Sequence, residues 1–153
     1  MVVTRIAFQA AVRAAAVDLL TDFKDSVGMK LQVYPGRPSS LWPPSAFVDR
    51  MTEQIVYPSS VNWRQRTVRA EVLVIFGLFD SAEAVAQKDA FVDAFMDYVT
   101  DDVHAAGANT TIALVAVDDE PAWTPDWRPA NVTNGPNPTY YATRLTLEGF
   151  AGG

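Results

Sequence analysis

Cysteine is absent from this chain of 153 residues. That excludes disulfides, thiolate nucleophiles and cysteine-built metal sites, and it leaves the redox compartment unconstrained. Histidine occurs once, as His104. No apolar run approaches the roughly 20 residues that span a bilayer, and the opening MVVTRIAFQAAVR sets arginines into a short, weakly apolar stretch. No signal peptide, anchor or membrane span is therefore expected. The sequence holds no serine elbow, no phosphate-cradling glycine loop and no dinucleotide fingerprint. Positive charge is also scarce: 12 Lys and Arg stand against 18 Asp and Glu, a formal charge of −6. A primary nucleic-acid binder needs net phosphate neutralisation, which this balance does not offer. An acidic surface still suits a protein past which DNA must slide without sticking.

What is present is globular. Apolar residues make up 49% of the chain and charged ones 20%, a balance that supports a buried core rather than disorder. The length fits one domain over residues 1–153. From Val3 to Asp25, Phe8, Val12, Ala15, Ala16, Leu19 and Phe23 recur at helical steps, and Gly28 is placed to close that helix. A short strand is expected at Lys30–Tyr34. Another runs from Ala46 to Tyr57 with mixed faces, Phe47, Asp49, Met51 and Glu53 on one side and Val48, Arg50 and Thr52 on the other. The turn over residues 57–62 reverses the chain into the clearest strand, Trp63–Leu78.

The stretch FDSAEAVAQKDAFVDAFMDYV predicts a second helix, with Asp80 or Ser81 as its cap and Glu83 spaced for a capping box. Val85, Val92, Met96, Val99 and Val103 form one apolar row, with Phe91, Phe95 and Tyr98 beside it. Asp89, Asp93 and Asp97 repeat at four-residue spacing, a like-charged row that is tolerated cheaply only in water. TIALVAVD and TYYATRLTLEGF read as the last two strands. The fold class is thus α+β, a mainly antiparallel sheet of four or five strands carrying two helices, in the order α-β-β-β-α-β-β, with a projecting β-ribbon.

Two long loops interrupt the pattern. YPGRPSSLWPP, within residues 34–45, has too much proline for a helix or central strand, yet carries Tyr34 and Trp42, which need something to pack on. Residues 119–138 hold Trp123, Trp127 and five prolines.

Candidate chemistry is thin. His104 beside Asp101 and Asp102 reads either as a metal or general-base site or as a surface histidine favoured by a helix C-terminus. No second nitrogen or sulfur ligand accompanies it. Asp118, Asp119 and Glu120 could hold magnesium or simply mark a solvated loop entrance. No catalytic residue, cofactor site or metal site is assigned. Arg50, Arg64, Arg66 and Arg69 are the only basic concentration, and three readings stay open: a patch for a partner or passing nucleic acid, charges that protect a strand edge, or a contact with the acidic helix face of a neighbouring copy. Trp42, Trp63, Trp123 and Trp127 all fall in or beside loops. Each could plug a loop onto its own domain, but together with arginine they fit an interface. The candidate contact set is therefore Tyr34, Arg37, Trp42, Arg50, Tyr57, Trp63, Arg64, Arg66, Arg69, Trp123 and Trp127, with Asp89, Asp93 and Asp97 as an acidic lumen or partner face.

The opening AVRAAAVDLL, VYPGRP leading through LWPPSAFV, VRAEVLVIFGLFDSAEAVAQKDAFVDAFMDYV as strand then helix, and the closing YYATRLTLEGF together resemble the tail terminator proteins of long-tailed bacteriophages. The resemblance implies a structural virion protein without cofactor or enzymatic activity. It would form a homohexameric ring at the head–tail junction and be assembled in the host cytoplasm. Such a ring caps the major tail tube protein, meets a head-closure or stopper protein, and lets genomic DNA pass without sequence-specific binding. Other neck proteins of comparable size share these features. A small-molecule-binding or hydrolytic α+β domain, with His104, Trp123 and Trp127 near a pocket, is the rival from another class.

Overall fold

The computed structural model describes residues 5–56, 65–101 and 110–151. They form α1 (Arg5–Val27), β1 (Gln32–Tyr34), β2 (Ser45–Val56), β3 (Gln65–Leu78), α2 (Ala82–Asp101), β4 (Thr110–Trp123) and β5 (Tyr140–Ala151). The α+β class and the element order are those expected from the sequence. The five strands make one sheet, ordered β1-β2-β3-β5-β4. It is mixed rather than wholly antiparallel, because β1 runs parallel to β2, with Tyr34 opposite Phe47. A parallel neighbour cannot be reached by a tight turn. The proline-rich strap, residues 35–44, is the crossover that reaches it.

α1 buries Phe8, Val12, Ala15, Ala16, Leu19, Leu20 and Phe23, the stripe its periodicity predicts. Gly28 ends it at φ 69°, which lets the Met29 N–H donate to the Lys24 carbonyl at 2.9 Å. That bond satisfies one of the carbonyls a helix end leaves orphaned. At its other end α1 sits almost on β5: a Cβ at Gly149 would lie 2.6 Å from a Val12 methyl.

α2 differs from its reading in two respects. The Ala84 N–H donates to Ser81 Oγ at 3.3 Å, so Ser81 is the cap, and Glu83 accepts from the Gln87 side chain rather than turning back. The buried face is Ala84, Phe91 and Phe95, while Val85 and Met96 of the valine row are exposed. Phe91 and Phe95 meet Phe23 edge-on at 5.4 and 5.1 Å, and Phe76 lies 5.5 Å from Phe91. Burial of the larger rings outweighs that of the valines and sets the helix rotation. Val85 and Met96 are therefore turned outward, Val92 and Val99 stay partly buried against the core, and Val103 lies outside the described residues.

β2 also departs from strict alternation. Its register with β3 shifts between Val48 and Arg50, a bulge at Asp49. Phe47 and Asp49 thus face away from the helices, while Met51 packs on the helix side and Glu53 receives a bond from Gln9 of α1. One inserted residue exchanges the faces of everything after it.

Beneath the helices lie Val68, Ala70, Val72, Val74 and Phe76 of β3. The opposite face has its own core, Leu41, Phe47, Leu73, Ile75, Tyr140 and Ala142, covered by loops instead of helices. The second loop is shorter than expected, because β4 continues through Pro121 to Trp123 and leaves only residues 124–139. Proline is tolerated there because β4 is an edge strand. The two loops lock together. Asn131 accepts from the Leu41 N–H and donates to the Leu41 carbonyl, both at 2.9 Å, and the Ala130 N–H donates to the Ser39 carbonyl at 2.7 Å. Asn131→Ala leaves two backbone groups of buried Leu41 unpaired, so urea unfolding should show a loss of about 1–3 kcal/mol, with the strap becoming protease-sensitive.

Candidate functional site

The strap and the tryptophan loop meet over an ionic network. Arg144 of β5 donates to Glu120 at 2.8 and 3.3 Å and to Asp49 at 2.9 Å, with Glu71 4.0 Å away. Burial alone would lower its pKa, but the bonds to Glu120 and Asp49 outweigh that and hold it above the ordinary arginine value. Asp49 in turn accepts from Arg37 at 3.3 Å, and Arg37 reaches Asp126 at 2.8 Å and lies 4.9 Å over the Trp127 ring. Trp127 meets Phe47 edge-on at 5.6 Å, and Trp123 lies 6.2 Å from the same ring. Tyr34 is half-buried against this cluster and its hydroxyl bonds the Gln32 side chain. The strap is therefore fastened by its own arginine. Arg37, Tyr34, Trp123 and Trp127 have partners inside the subunit.

Trp42 stands apart, 61% exposed. The register Ser45 opposite Ile75 puts the strap's end and the β3–α2 turn at the same end of the sheet, where Leu78 and Phe79 are also more than half exposed. At the ribbon, Arg69 pairs with Glu148 at 2.8 Å, and Arg50, 70% exposed, lies 3.7 Å from Glu71. Such exposed pairs contribute little, and a partner can recruit the arginines at small cost. Arg66 has its backbone in β3, but its side chain, like Tyr57, Trp63, Arg64 and His104 in full, lies outside the described residues.

Asp89, Asp93 and Asp97 are all exposed on α2, as a like-charged row requires. The acidic stretch of β4 does not converge on one point. Asp119 accepts from Lys88 and from Thr143, both at 3.2 Å, whereas Glu120 belongs to the Arg144 network. Among the described residues no group of three or more His, Asp or Glu side chains is placed to hold a metal ion, and no helix is long and apolar enough to cross a membrane.

The feature that sequence reasoning missed lies between α2 and β4. An open groove of about 570 Å³ is lined by Val92 and Met96 on the helix and by Leu114, Val115 and Val117 on the strand. Asp89, Asp93, Asp118 and Asp119 line it too, against the one cation Lys88. Lys88 is only 13% exposed and bridges Asp89 at 2.6 Å and Asp119 at 3.2 Å. The Asp89 bond raises its pKa, burial opposes this, and Asp119 adds to the rise. The rise means that this bridge is lost only above the ordinary lysine range, as pH passes the folded value. The signal was the apolar row of α2, of which Val85 and Met96 stay exposed.

No family model matches the sequence, and no curated protein matches it either.

Proposed function

We propose that this chain is a structural subunit of the ring that caps the tail tube of a long-tailed bacteriophage. The ring ends tube growth and offers the head connector its joining surface. One observation carries the reading beyond the resemblance. Among the described residues the sheet has two unlike open edges on opposite flanks: β4, and the part of β2 beyond the residues that β1 covers. Unlike surfaces on opposite flanks join head to tail, and a head-to-tail contact closes into a ring when its rotation divides the circle. The formal charge of −6 suits a conduit that DNA traverses without adhering. Six copies, the major tail tube protein and a head-closure protein are the partners this reading names, within the virion at the head–tail junction.

Disrupting the gene in its phage tests this. Tails of uncontrolled length that fail to join heads are expected, and normal-length, head-joined tails would overturn the proposal. Heads that leak DNA beside tails of normal length would assign the chain to head closure instead. The exposed end carries a separate expectation. Trp42→Ala should leave the unfolding midpoint within about 0.5 kcal/mol of the parent, as at other surface positions, while reducing the fraction of capped tubes in electron micrographs.

A further inference from the structure

We infer that the groove between α2 and β4 is the socket for the β2–β3 ribbon of a second copy of this chain. The inference rests on the ring reading and names the surface that would build it. The groove combines an apolar floor with a sheet edge. Val115 is 48% and Met96 42% exposed, a substantial apolar area for a lone subunit to leave in water. β4 is blunted on both sides of a short window. Its register shifts at Val115 and again between Glu120 and Trp123, where Pro121 cannot donate. Two regular stretches of five residues remain, Thr110–Leu114 and Ala116–Glu120, and the second, closed by a bulge on one side and a proline on the other, admits one short strand.

Charge selects the occupant. The groove presents four carboxylates against one ammonium. A two-fold antiparallel pairing of β4 with β4 centred on that window sets Asp118 directly opposite Asp118, which is unfavourable. The open edge of β2 is the complement: past its bulge, Arg50–Val56 has no neighbour on the outer side among the described residues, and Arg50 and Arg69 are exposed on the ribbon it shares with β3. An acidic socket on one flank and a basic tongue on the other give polarity to the contact, so each copy accepts one neighbour and enters the next.

Paired charge reversal in the full chain tests this. One variant carries Arg50→Glu and Arg69→Glu, the other Asp93→Lys and Asp118→Lys. All four positions are solvent-exposed, and circular dichroism verifies folding. Each variant alone should self-associate about tenfold or more weakly than the parent in sedimentation, from like charges brought together. An equimolar mixture should recover the parent's assemblies, with the two variants alternating. Because the chain has no cysteine, Thr52→Cys with Val115→Cys in one chain adds an independent readout. A short bismaleimide should give a covalent ladder from the double variant and none from either single variant. Unchanged association of the separate variants, absence of recovery on mixing, or dimers from a single-cysteine variant would overturn the socket. If tubes are still capped in such a case, only the socket fails. A ladder without tube capping would retain the socket and remove the tail assignment.

Discussion

Arg144→Met should lower the stability of the folded chain by about 3 kcal/mol or more, the range found when one partner of a buried charge cluster is removed. Its guanidinium is 17% exposed and is shared by Glu120 at 2.8 Å and Asp49 at 2.9 Å, whose side chains are 32% and 14% exposed. Methionine fills similar volume, so the loss comes from carboxylates left together without their cation. In urea the midpoint should fall by about 1–2 M for a protein of this size. Adding Asp49→Leu and Glu120→Met to the same chain should restore most of the stability, since apolar replacement of an entire buried ionic cluster is often neutral or better. Failure of that restoration would mean that Arg144 acts through packing of the strap. A fall well under 1 kcal/mol in the single variant would mean that water screens the network.

The second large effect is expected at Phe91. It is fully buried, lies 5.4 Å from Phe23, 5.5 Å from Phe76 and 5.5 Å from Phe95, and so ties α1, α2 and β3 together. Phe91→Ala should cost about 3–5 kcal/mol through lost contacts and a residual cavity, lowering the thermal midpoint by about 10 °C or more at this chain length. Val85→Ala, about three tenths of a turn from Ala84 and by periodicity alone a rival for the core, should change stability by no more than about 0.5 kcal/mol. Calorimetry of the two variants decides which stripe of α2 holds the helix down. Equal losses would restore the valine row to the core.

α1 was legible in the sequence because it has one apolar stripe and so one way to lie. α2 has two adjacent stripes, and only the positions of Phe23 and Phe76 decide between them, information that is not local. Similarly, the phase of β2 depends on a bulge at Asp49, which is required because that carboxylate serves Arg37 and Arg144 from other parts of the chain. The strap was legible as stiff and as needing a surface. Its role as a parallel crossover was not, since nothing in YPGRPSSLWPP states which side of β2 the chain has left. Among the candidate contact residues, exposure divides what composition grouped. Arg37, Trp123 and Trp127 hold the subunit's own loops in place, while Trp42 and Arg50 face outward. Asp89, Asp93 and Asp97 were readable because a like-charged row has only solvent or a basic partner to face. The socket beside them was not, because Val92, Met96 and a sheet edge become a groove only when α2 and β4 lie side by side.

The proposed function requires the chain to end a tube by closing a ring on it. Tail tube protein from the same phage, polymerised with and without the purified chain and viewed by electron microscopy, tests it most directly. Tubes formed with the chain should stop growing and carry a six-fold ring at one end. Tubes that lengthen equally in both cases, with bare ends, would contradict it.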